Sequence, residues 1–332
     1  MKLAILGATG AVGRTMLQVL EERKFPVETL VPLASARSAG TSLGWNGRDW
    51  RVQAPEPGCF TGCTVALFSA GAARSREWGP RAAAEGALVV DNSSAWRMDP
   101  EVPLVVPEVN AGAAAHRPRG IIANPNCATI QLVLPLAGLH AAGGLRRVLV
   151  TTLQSVSGAG QGGLDALAAE LAGGTAETSP FVAAIAGNVI PWIGPRRDDG
   201  WNEEEDKIRQ ETRKILGLAE LPVAATCVRV PVHVGHSISA CVELERALER
   251  DQVLAALRAV PGVEVAGDER DPLPRAVAGT DAVRVGHVRI DPDDARVVHL
   301  WIVADNLRKG AATNAVQIAE SVLFGRAGAE AA

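Results

Sequence analysis

Tyrosine is absent from this 332-residue chain, and only 7 Trp and 5 Phe make up its aromatics. An aromatic platform for stacking nucleic-acid bases is therefore not expected. A surplus of positive charge is missing as well: 33 Lys+Arg face 37 Asp+Glu, a formal net charge of −4. That near balance argues against a nucleic-acid partner, which requires a basic field. It leaves room for an anionic small molecule held by a few placed cations. No apolar run reaches the ~18 residues of a membrane span, so no membrane partner is expected. The start, Met1-Lys2-Leu3-Ala4-Ile5-Leu6-Gly7, has a signal-like apolar stretch that glycine cuts short, and it reads as a first β-strand. Cysteines number 5, at 59, 63, 127, 227 and 241. An odd count in a long, signal-free chain points to reduced thiols and the cytoplasm. Cys59 and Cys63 lack partners at metal-ligand spacing, so no metal site is expected.

What is present is a two-part grammar, in line with a length of roughly 150 residues per domain. Up to residue 126, short apolar runs alternate with helix-like segments. Candidate strands are Lys2–Leu6, Glu28–Leu33, Thr64–Phe68, Leu88–Val90, Leu104–Val106 and Ile121–Ala123, with helices over Ala11–Arg23 and Ser75–Glu85. That alternation implies βαβ units and a parallel sheet. After Cys127 the strands lengthen: Arg147–Gln154, Ala224–Val232, Ser237–Leu244 and Val297–Ala304. Ile238, Ala240, Val242 and Leu244 share one face, the pattern of an antiparallel sheet with a wetter second face. Helices are expected over Leu164–Leu171, Glu203–Leu216 and Gln252–Ala259, and Gly194–Gly200 reads as a charged surface loop. A final helix, Ala311–Phe324, ends at Gly325, and the tail Arg326–Ala332 is expected to be disordered.

Gly7-Ala8-Thr9-Gly10-Ala11-Val12-Gly13 lies between the first strand and an apolar helix. A tight turn, close backbone approach and amides at a helix N-terminus suit a pyrophosphate. The spacing is GxxGxxG, a variant of the dinucleotide fingerprint, and a merely structural βα turn is the competing reading. An NAD-specific site would carry Asp or Glu about 20 residues further on. The sequence there is Pro32-Leu33-Ala34-Ser35-Ala36-Arg37-Ser38, and an arginine between serines favours a 2′-phosphate, hence NADP.

Asn124-Pro125-Asn126-Cys127-Ala128-Thr129-Ile130 follows a strand and opens the helical run Ile130–Leu139. Cys127 thus sits at a helix N-terminus, where the dipole favours the reactive thiolate. Downstream, Gln154-Ser155-Val156-Ser157-Gly158-Ala159-Gly160 ends a strand in a polar, glycine-rich loop that admits a substrate and a nicotinamide. In the helix Glu203–Leu216, Ile208, Ile215 and Leu216 form an apolar stripe, and Glu204 and Lys207 lie on or beside it. Inward charges need partners, which a substrate bearing an ammonium and a phosphate supplies; an intrahelical Glu–Lys pair on a solvated face is the alternative. Glu203, Asp206, Arg209, Gln210 and Arg213 take the outward faces. Arg229, mid-strand among apolar residues, has a fork suited to a carboxylate. Either His233 or His236 can serve as general base for a thiol. Arg97 adds a cation after another strand end. Together these residues describe an NADP-dependent cysteine enzyme acting on an anionic carbonyl or acyl compound.

Gly7–Gly13, Asp91-Asn92-Ser93-Ser94, Val105–Asn110, Asn124–Cys127, Gln154–Gly160, Glu211-Thr212-Arg213-Lys214-Ile215, Cys227–Ser237 and Asp305–Glu320 resemble, in order, the motifs of the aspartate-semialdehyde dehydrogenase family. The resemblance implies an α/β fold: a Rossmann-type NADP-binding domain, 1–126 completed by the C-terminal helix 311–325, and an α+β catalytic and dimerisation domain, 127–310, with a mainly antiparallel sheet. It implies that Cys127 forms an acyl-thioester, that His236 is the acid/base, that Arg229 binds the α-carboxylate, that Glu204 meets the amine and that Gln154 orients the substrate. It further implies that Arg97, Asn126 and Lys207 bind phosphate. On the same resemblance, Gly7, Thr9, Gly10, Ala11, Val12, Gly13, Arg37, Ser38, Ser157 and Gly158 are expected to contact NADP, and Asn314 and Gln317 to border the nicotinamide. The implied reaction reduces 4-aspartyl phosphate to aspartate 4-semialdehyde, on the route to lysine or diaminopimelate, threonine, methionine and isoleucine, in a homodimer or dimer of dimers. Leu153 departs from the pattern, standing where many relatives carry Tyr. N-acetyl-γ-glutamyl-phosphate reductase is the near alternative, but it typically has Gly where Asn126 stands, and its blocked amine leaves Glu204 without a task. A non-catalytic NADP-binding paralogue is the alternative of another class.

Overall fold

The computed structural model describes residues 1–325 apart from Glu177, Asp268 and Glu269; the tail expected to be disordered, from Arg326 onward, lies outside the described residues. The chain divides into two units, Met1–Pro125 with the stretch from Ala311 onward, and Asn126–Gly310. The second unit opens at Asn126, whose side chain caps its first helix.

In the first unit the strands are β1 (Lys2–Leu6), β2 (Thr29–Leu33), β3 (Ser42–Trp45), β4 (Arg48–Arg51), β5 (Val65–Phe68), β6 (Leu88–Asp91) and β7 (Ile121–Ala123). The helices are α1 (Ala11–Glu22), α2 (Ala72–Ala84) and α3 (Pro107–Asn110). Five strands form one sheet in the order β2-β1-β5-β6-β7, and all four pairings are parallel. A parallel sheet is covered on both faces, which is why β1 and β5 read as unbroken apolar runs rather than alternating ones.

The structure departs from the expected elements of this unit at two places. Leu104–Val106 is not a strand but a single bridge from Leu104 to Ala123. The Asn110 side chain takes the polar groups a strand would use, accepting from Val106 N–H (2.8 Å) and donating to Leu104 O (2.9 Å). Conversely, β3 and β4 form an antiparallel hairpin that the sequence reading passed over. Its turn is Asn46-Gly47, with φ of 50° and 70°, the left-handed pair that a two-residue hairpin requires.

The second unit comprises α4 (Cys127–Gly143), β8 (Leu145–Gln154), α5 (Gln161–Leu171), α6 (Glu203–Leu216), β9 (Val223–Arg229), β10 (His236–Leu244), α7 (Arg250–Arg258), β11 (Val263–Val265), α8 (Pro274–Val277), β12 (Val283–Ile290) and β13 (Val297–Ala304). The sheet order is β11-β12-β13-β10-β8-β9. The three central pairings are antiparallel, and the outer two, β8–β9 and β11–β12, are parallel. Along β10, Ile238, Ala240, Val242 and Leu244 are buried while Ser239 is exposed, as the alternation predicts. Against the buried face lies α4, apolar all round and covered on its far side by α6 and α7.

β9 stops at Arg229, three residues short of the expected Val232. Pro231 has no N–H for the ladder, and Val232 N–H instead turns back on Val230 O (2.8 Å). Arg229 therefore ends its strand rather than lying within it. Its register partner on β8 is Gln154, also a strand-final residue. On the antiparallel neighbour, Ser237 pairs with Leu153, so His236 begins β10 at the same edge of the sheet. One end of the sheet thus gathers Gln154, Arg229 and His236.

The last helix, α9 (Thr313–Phe324), belongs to the first unit. Ala315, Val316, Ile318 and Ala319 share a core with Leu3, Ile5 and Met16. Arg23, at the end of α1, clasps Glu320 through Nε (3.0 and 3.1 Å) and Nη2 (2.6 Å). Gly325, at φ 66°, ends α9 in the left-handed conformation.

Candidate active site

In the second unit, Asn126 and Cys127 mark the start of α4. The Asn126 side-chain oxygen accepts from Ala128 N–H (2.9 Å) and Thr129 N–H (3.2 Å), which fixes the first turn. Cys127 follows at the positive end of the helix dipole. Its Sγ lies 3.3 Å from His236 Nε2. His236 is fully buried, and burial holds its pKa well below the usual imidazole range, with the Arg229 guanidinium acting in the same direction. His233 is exposed, and it is His236 that lies against Cys127.

Three groups suited to an amino-acid substrate stand around this pair. Arg229 is buried, donates from Nη1 to Ser155 O (2.6 Å) and has its guanidinium carbon 5.9 Å from the Phe181 ring centroid. Burial lowers its pKa, and the Glu204 carboxylate opposes that effect. Glu204 is buried too, and its Oε1 accepts from Asn126 Nδ2 (2.8 Å) and Gln154 Nε2 (3.1 Å). Gln154 also donates to Thr152 Oγ1 (3.3 Å). A carboxylate, a guanidinium and a carboxamide thus converge within one unit near a thiol. Lys207 Nζ lies 2.7 Å from Glu203 and 3.7 Å from Glu204, joining the intrahelical pair to the inward carboxylate.

Gly158 is the close-approach residue of the loop after β8. A Cβ there would stand 2.8 Å from Arg229 Nη1 and 3.2 and 3.3 Å from His236 Cε1 and Nε2. Ser157, next to it, donates its hydroxyl to Asn306 Oδ1 (3.0 Å). On the Cys127 side, a Cβ at Gly310 would come within 3.0 Å of the cysteine Cβ.

Several residues to which the sequence assigned no role contribute. Glu211 Oε2 accepts from Asn126 N–H at 2.6 Å. Glu205 completes a capping box with Asn202 and accepts from Cys227 N–H (3.1 Å). Residues 204, 208, 211 and 215 follow helical spacing, so the stripe that carries Glu204 inward carries Glu211 as well. Asn306, after β13, is buried and bonds both the Ser155–Ser157 loop and Gly235. It lies within the Asp305–Glu320 motif, but nothing local marks its contacts.

The remaining expected residues lie in the first unit. Gly7 has φ 96°, and a Cβ there would fall 2.5 Å from Ser69 O; one at Gly13 would fall 2.1 Å from Gly7 O. The loop hangs on β2 through Gly7 N–H and Ala8 N–H, which both donate to Leu33 O. No side chain caps α1, and Thr9, Gly10, Ala11 and Val12 are at least partly accessible. This cradle fits a dinucleotide pyrophosphate. Arg37 is exposed and Ser38 half-buried in the turn after β2. Arg97 is buried, donating to Asn124 O (3.0 Å) and Asn92 O (2.7 Å). Asn314 donates to Asn124 Oδ1 (2.7 Å) and Val105 O (3.0 Å), and Gln317 donates to Glu108 (3.0 Å). Asp91 anchors the loop leading to Arg97 through Ser75 and Ser93, and burial raises its pKa.

Two family models match this chain. A family model described as "Semialdehyde dehydrogenase, NAD binding domain" matches residues 2–116, and one described as "Semialdehyde dehydrogenase, dimerisation domain" matches residues 136–309. The chain is 46% identical to an aspartate-semialdehyde dehydrogenase of Aquifex aeolicus, covering 96% of this chain and 97% of the relative. The crystal structure of aspartate semialdehyde dehydrogenase II of Vibrio cholerae, complexed with ASA, superposes with a TM-score of 0.93 at 48% identity, covering 97% and 98% of the two chains. An aspartate semialdehyde dehydrogenase of Candida albicans, solved with NADP, gives a TM-score of 0.77 at 28% identity, covering 96% and 97%.

Proposed function

This chain belongs to the aspartate-semialdehyde dehydrogenase family, and we propose that Cys127 is its nucleophile, with Arg229, Glu204 and Gln154 holding the substrate. The reaction is the reductive dephosphorylation of 4-aspartyl phosphate to aspartate 4-semialdehyde. The observation that carries the residue assignment is the 3.3 Å approach of Cys127 Sγ to His236 Nε2 at the start of α4.

Cys127 thiolate attacks the acyl carbon; a C–S bond forms, the C–O bond to phosphate breaks, and a thioester results. The one proton taken up overall goes to the departing phosphate. When bound, the reduced nicotinamide supplies a hydride to the thioester carbon. The resulting alkoxide collapses, the C–S bond breaks, and the aldehyde leaves with Cys127 again a thiolate. Splitting one hard step into two easier ones is what covalent catalysis contributes. Arg229 pairs with the α-carboxylate, Glu204 with the α-ammonium, and Gln154 orients the chain between them. Arg97, Asn126 and Lys207 are assigned to phosphate, whose charge fixed cations stabilise. The free amine is what separates this substrate from an N-acetylated homologue, and the buried Glu204 carboxylate matches it.

The nicotinamide cofactor is assigned as NADP, held by Gly7–Gly13, Arg37, Ser38, Ser157 and Gly158, with Asn314 and Gln317 at the nicotinamide. An arginine after β2, with no acidic residue between Pro32 and Ser38, supports this, as does the NADP bound to the Candida albicans relative. A second copy of the chain is proposed as partner, in a homodimer or dimer of dimers. No helix among the described residues is long and apolar enough to cross a membrane; the five free cysteines fit a reducing compartment such as the cytoplasm.

The test is direct. Purified protein is expected to reduce NADP⁺ with aspartate semialdehyde and phosphate, to prefer it over NAD⁺, and to lose activity in Cys127→Ala. Equal turnover of the N-acetylglutamyl substrate would overturn the substrate assignment.

A further inference from the structure

Both ring nitrogens of His236 have partners, and these partners constrain where its proton sits. Nε2 faces Cys127 Sγ at 3.3 Å. Nδ1 receives the Ser155 backbone N–H at 3.0 Å. A peptide N–H can only donate, so Nδ1 must be the bare nitrogen. The Ser155 hydroxyl, also 3.0 Å from Nδ1, imposes no such choice, since it can donate to Nδ1 or to Asn306 Oδ1. A proton on Nδ1 would confront the peptide hydrogen head-on, whether in the other neutral tautomer or in imidazolium. The remaining proton of a neutral ring therefore sits on Nε2 and points at sulfur.

Val230 N–H on Gln154 O (3.0 Å) and Arg229 on Ser155 O (2.6 Å) hold that peptide, and Asn306 ties its loop to the segment before His236. The Asn306 Oδ1 accepts from Gly235 N–H (2.9 Å), Ser155 Oγ (3.0 Å) and Ser157 Oγ (3.0 Å), and its Nδ2 donates to Ser157 Oγ (2.9 Å). One carboxamide thus links the loop that carries the donating amide to the residue just before His236. The titratable groups facing the ring are Cys127 from α4 and Arg229 from the end of β9.

We propose that His236 serves the reaction as a neutral Nε2–H donor to the Cys127 sulfur, and that Asn306, by tying the Ser155–Ser157 loop to Gly235, is a positioning residue for this tautomer. The inference deepens the functional reading above and rests on it. The acid/base role implied by the family resemblance narrows: on ionisation the thiol proton leaves to solvent, because Nε2 already carries one. Once the hydride has added, the alkoxide collapses without a proton from His236, and the same N–H follows the negative charge from oxygen back to sulfur.

The experiment uses the intact protein without substrate, so its outcome is independent of which aldehyde is turned over. The ring of His236 is observed by ¹⁵N NMR on ¹⁵N-histidine-labelled protein, assigned by loss of the signal in His236→Asn. The expected result is the Nε2–H neutral tautomer from mildly acidic to alkaline pH. Ser155→Ala, which retains the peptide N–H, is expected to keep that tautomer. Asn306→Ala is expected to mix the tautomers and to raise the pH midpoint of Cys127 alkylation by iodoacetamide by about one unit or more. An Nδ1–H or imidazolium form in the wild type at neutral pH would overturn the donor assignment. An alkylation profile and tautomer unchanged in Asn306→Ala would overturn the positioning role. Wild-type protein that shows the Nε2–H tautomer but, in the separate assay given above, does not turn over aspartate semialdehyde would count against the functional reading instead.

Discussion

Replacing Gly158 by alanine adds one methyl at the most crowded point of the site. The new Cβ would lie 2.8 Å from Arg229 Nη1 and 3.2 and 3.3 Å from two atoms of the His236 ring. Comfortable contact is about 3.5 Å, so Arg229 must retreat by roughly 0.7 Å or the loop must lift by as much. Arg229 cannot swing into solvent: it is 5% exposed and tied to Ser155 O at 2.6 Å. His236 is fully buried and set against Cys127. Overpacking of this kind costs about 1–3 kcal/mol of stability. A displacement approaching 1 Å at a reacting group costs up to about a hundredfold in rate. The expected outcome is a folded enzyme whose kcat/KM for aspartate semialdehyde falls by roughly ten- to a hundredfold. KM should rise through Arg229 and kcat should fall through His236. Steady-state kinetics beside urea unfolding separate the two effects. A variant with wild-type stability and unchanged kcat/KM would refute the reasoning, since it would show that the loop has slack the distances deny.

Other consequences follow from the same geometry. Glu204→Gln keeps an acceptor for Asn126 and Gln154 but removes the charge for the ammonium; KM for the amino-acid substrate should rise about ten- to a hundredfold with NADP affinity, measured by fluorescence titration, unaltered. Glu211→Leu leaves the buried Asn126 N–H without its 2.6 Å acceptor, which should cost about 1–3 kcal/mol in chemical denaturation. Arg23→Leu strands Glu320, whose side chain is 3% exposed, and should destabilise the first unit by about 3–5 kcal/mol, seen as an earlier loss of NADP binding on heating. Burial depresses the pKa of His236, so below the free imidazole value near ~6.5 the unfolded chain binds a proton the native state refuses. Stability should therefore fall with acidification at up to about 1.4 kcal/mol per pH unit relative to His236→Asn, and be level above neutrality; parallel wild-type and variant slopes between pH ~5 and ~7 would contradict this.

Much of the site was legible because its chemistry coincides with local structure. The glycine loop sits where a strand must become a helix, and Cys127 sits where a helix must begin; both junctions leave marks in sequence. The inward Glu204 followed from helical spacing. Other features depend on contacts far apart in the chain. Nothing near Asn306 foretells that it binds Ser155 and Gly235, some 150 and 70 residues away. The choice of His236 over His233 depended on where β10 starts, and the end of β9 at Arg229 depended on Pro231. The Asn46-Gly47 hairpin was readable in principle, since that dipeptide favours the turn it makes. The supposed strand at Leu104–Val106 failed because a neighbouring asparagine side chain took its backbone partners.

The return of α9 to the first unit has a consequence for how the protein is made. The hydrophobic heart of that unit lacks Ala315, Val316, Ile318 and Ala319 until the final helix leaves the ribosome. Roughly two hundred residues separate the end of its first segment from that helix. At about 5–20 residues per second, the nascent N-terminal half therefore waits on the order of 10–40 s with one wall of its core missing. The second unit, continuous from Asn126 to Gly310, can close first although it is translated later. Translation arrested before residue 311 should yield a chain whose middle resists protease while its beginning is cut.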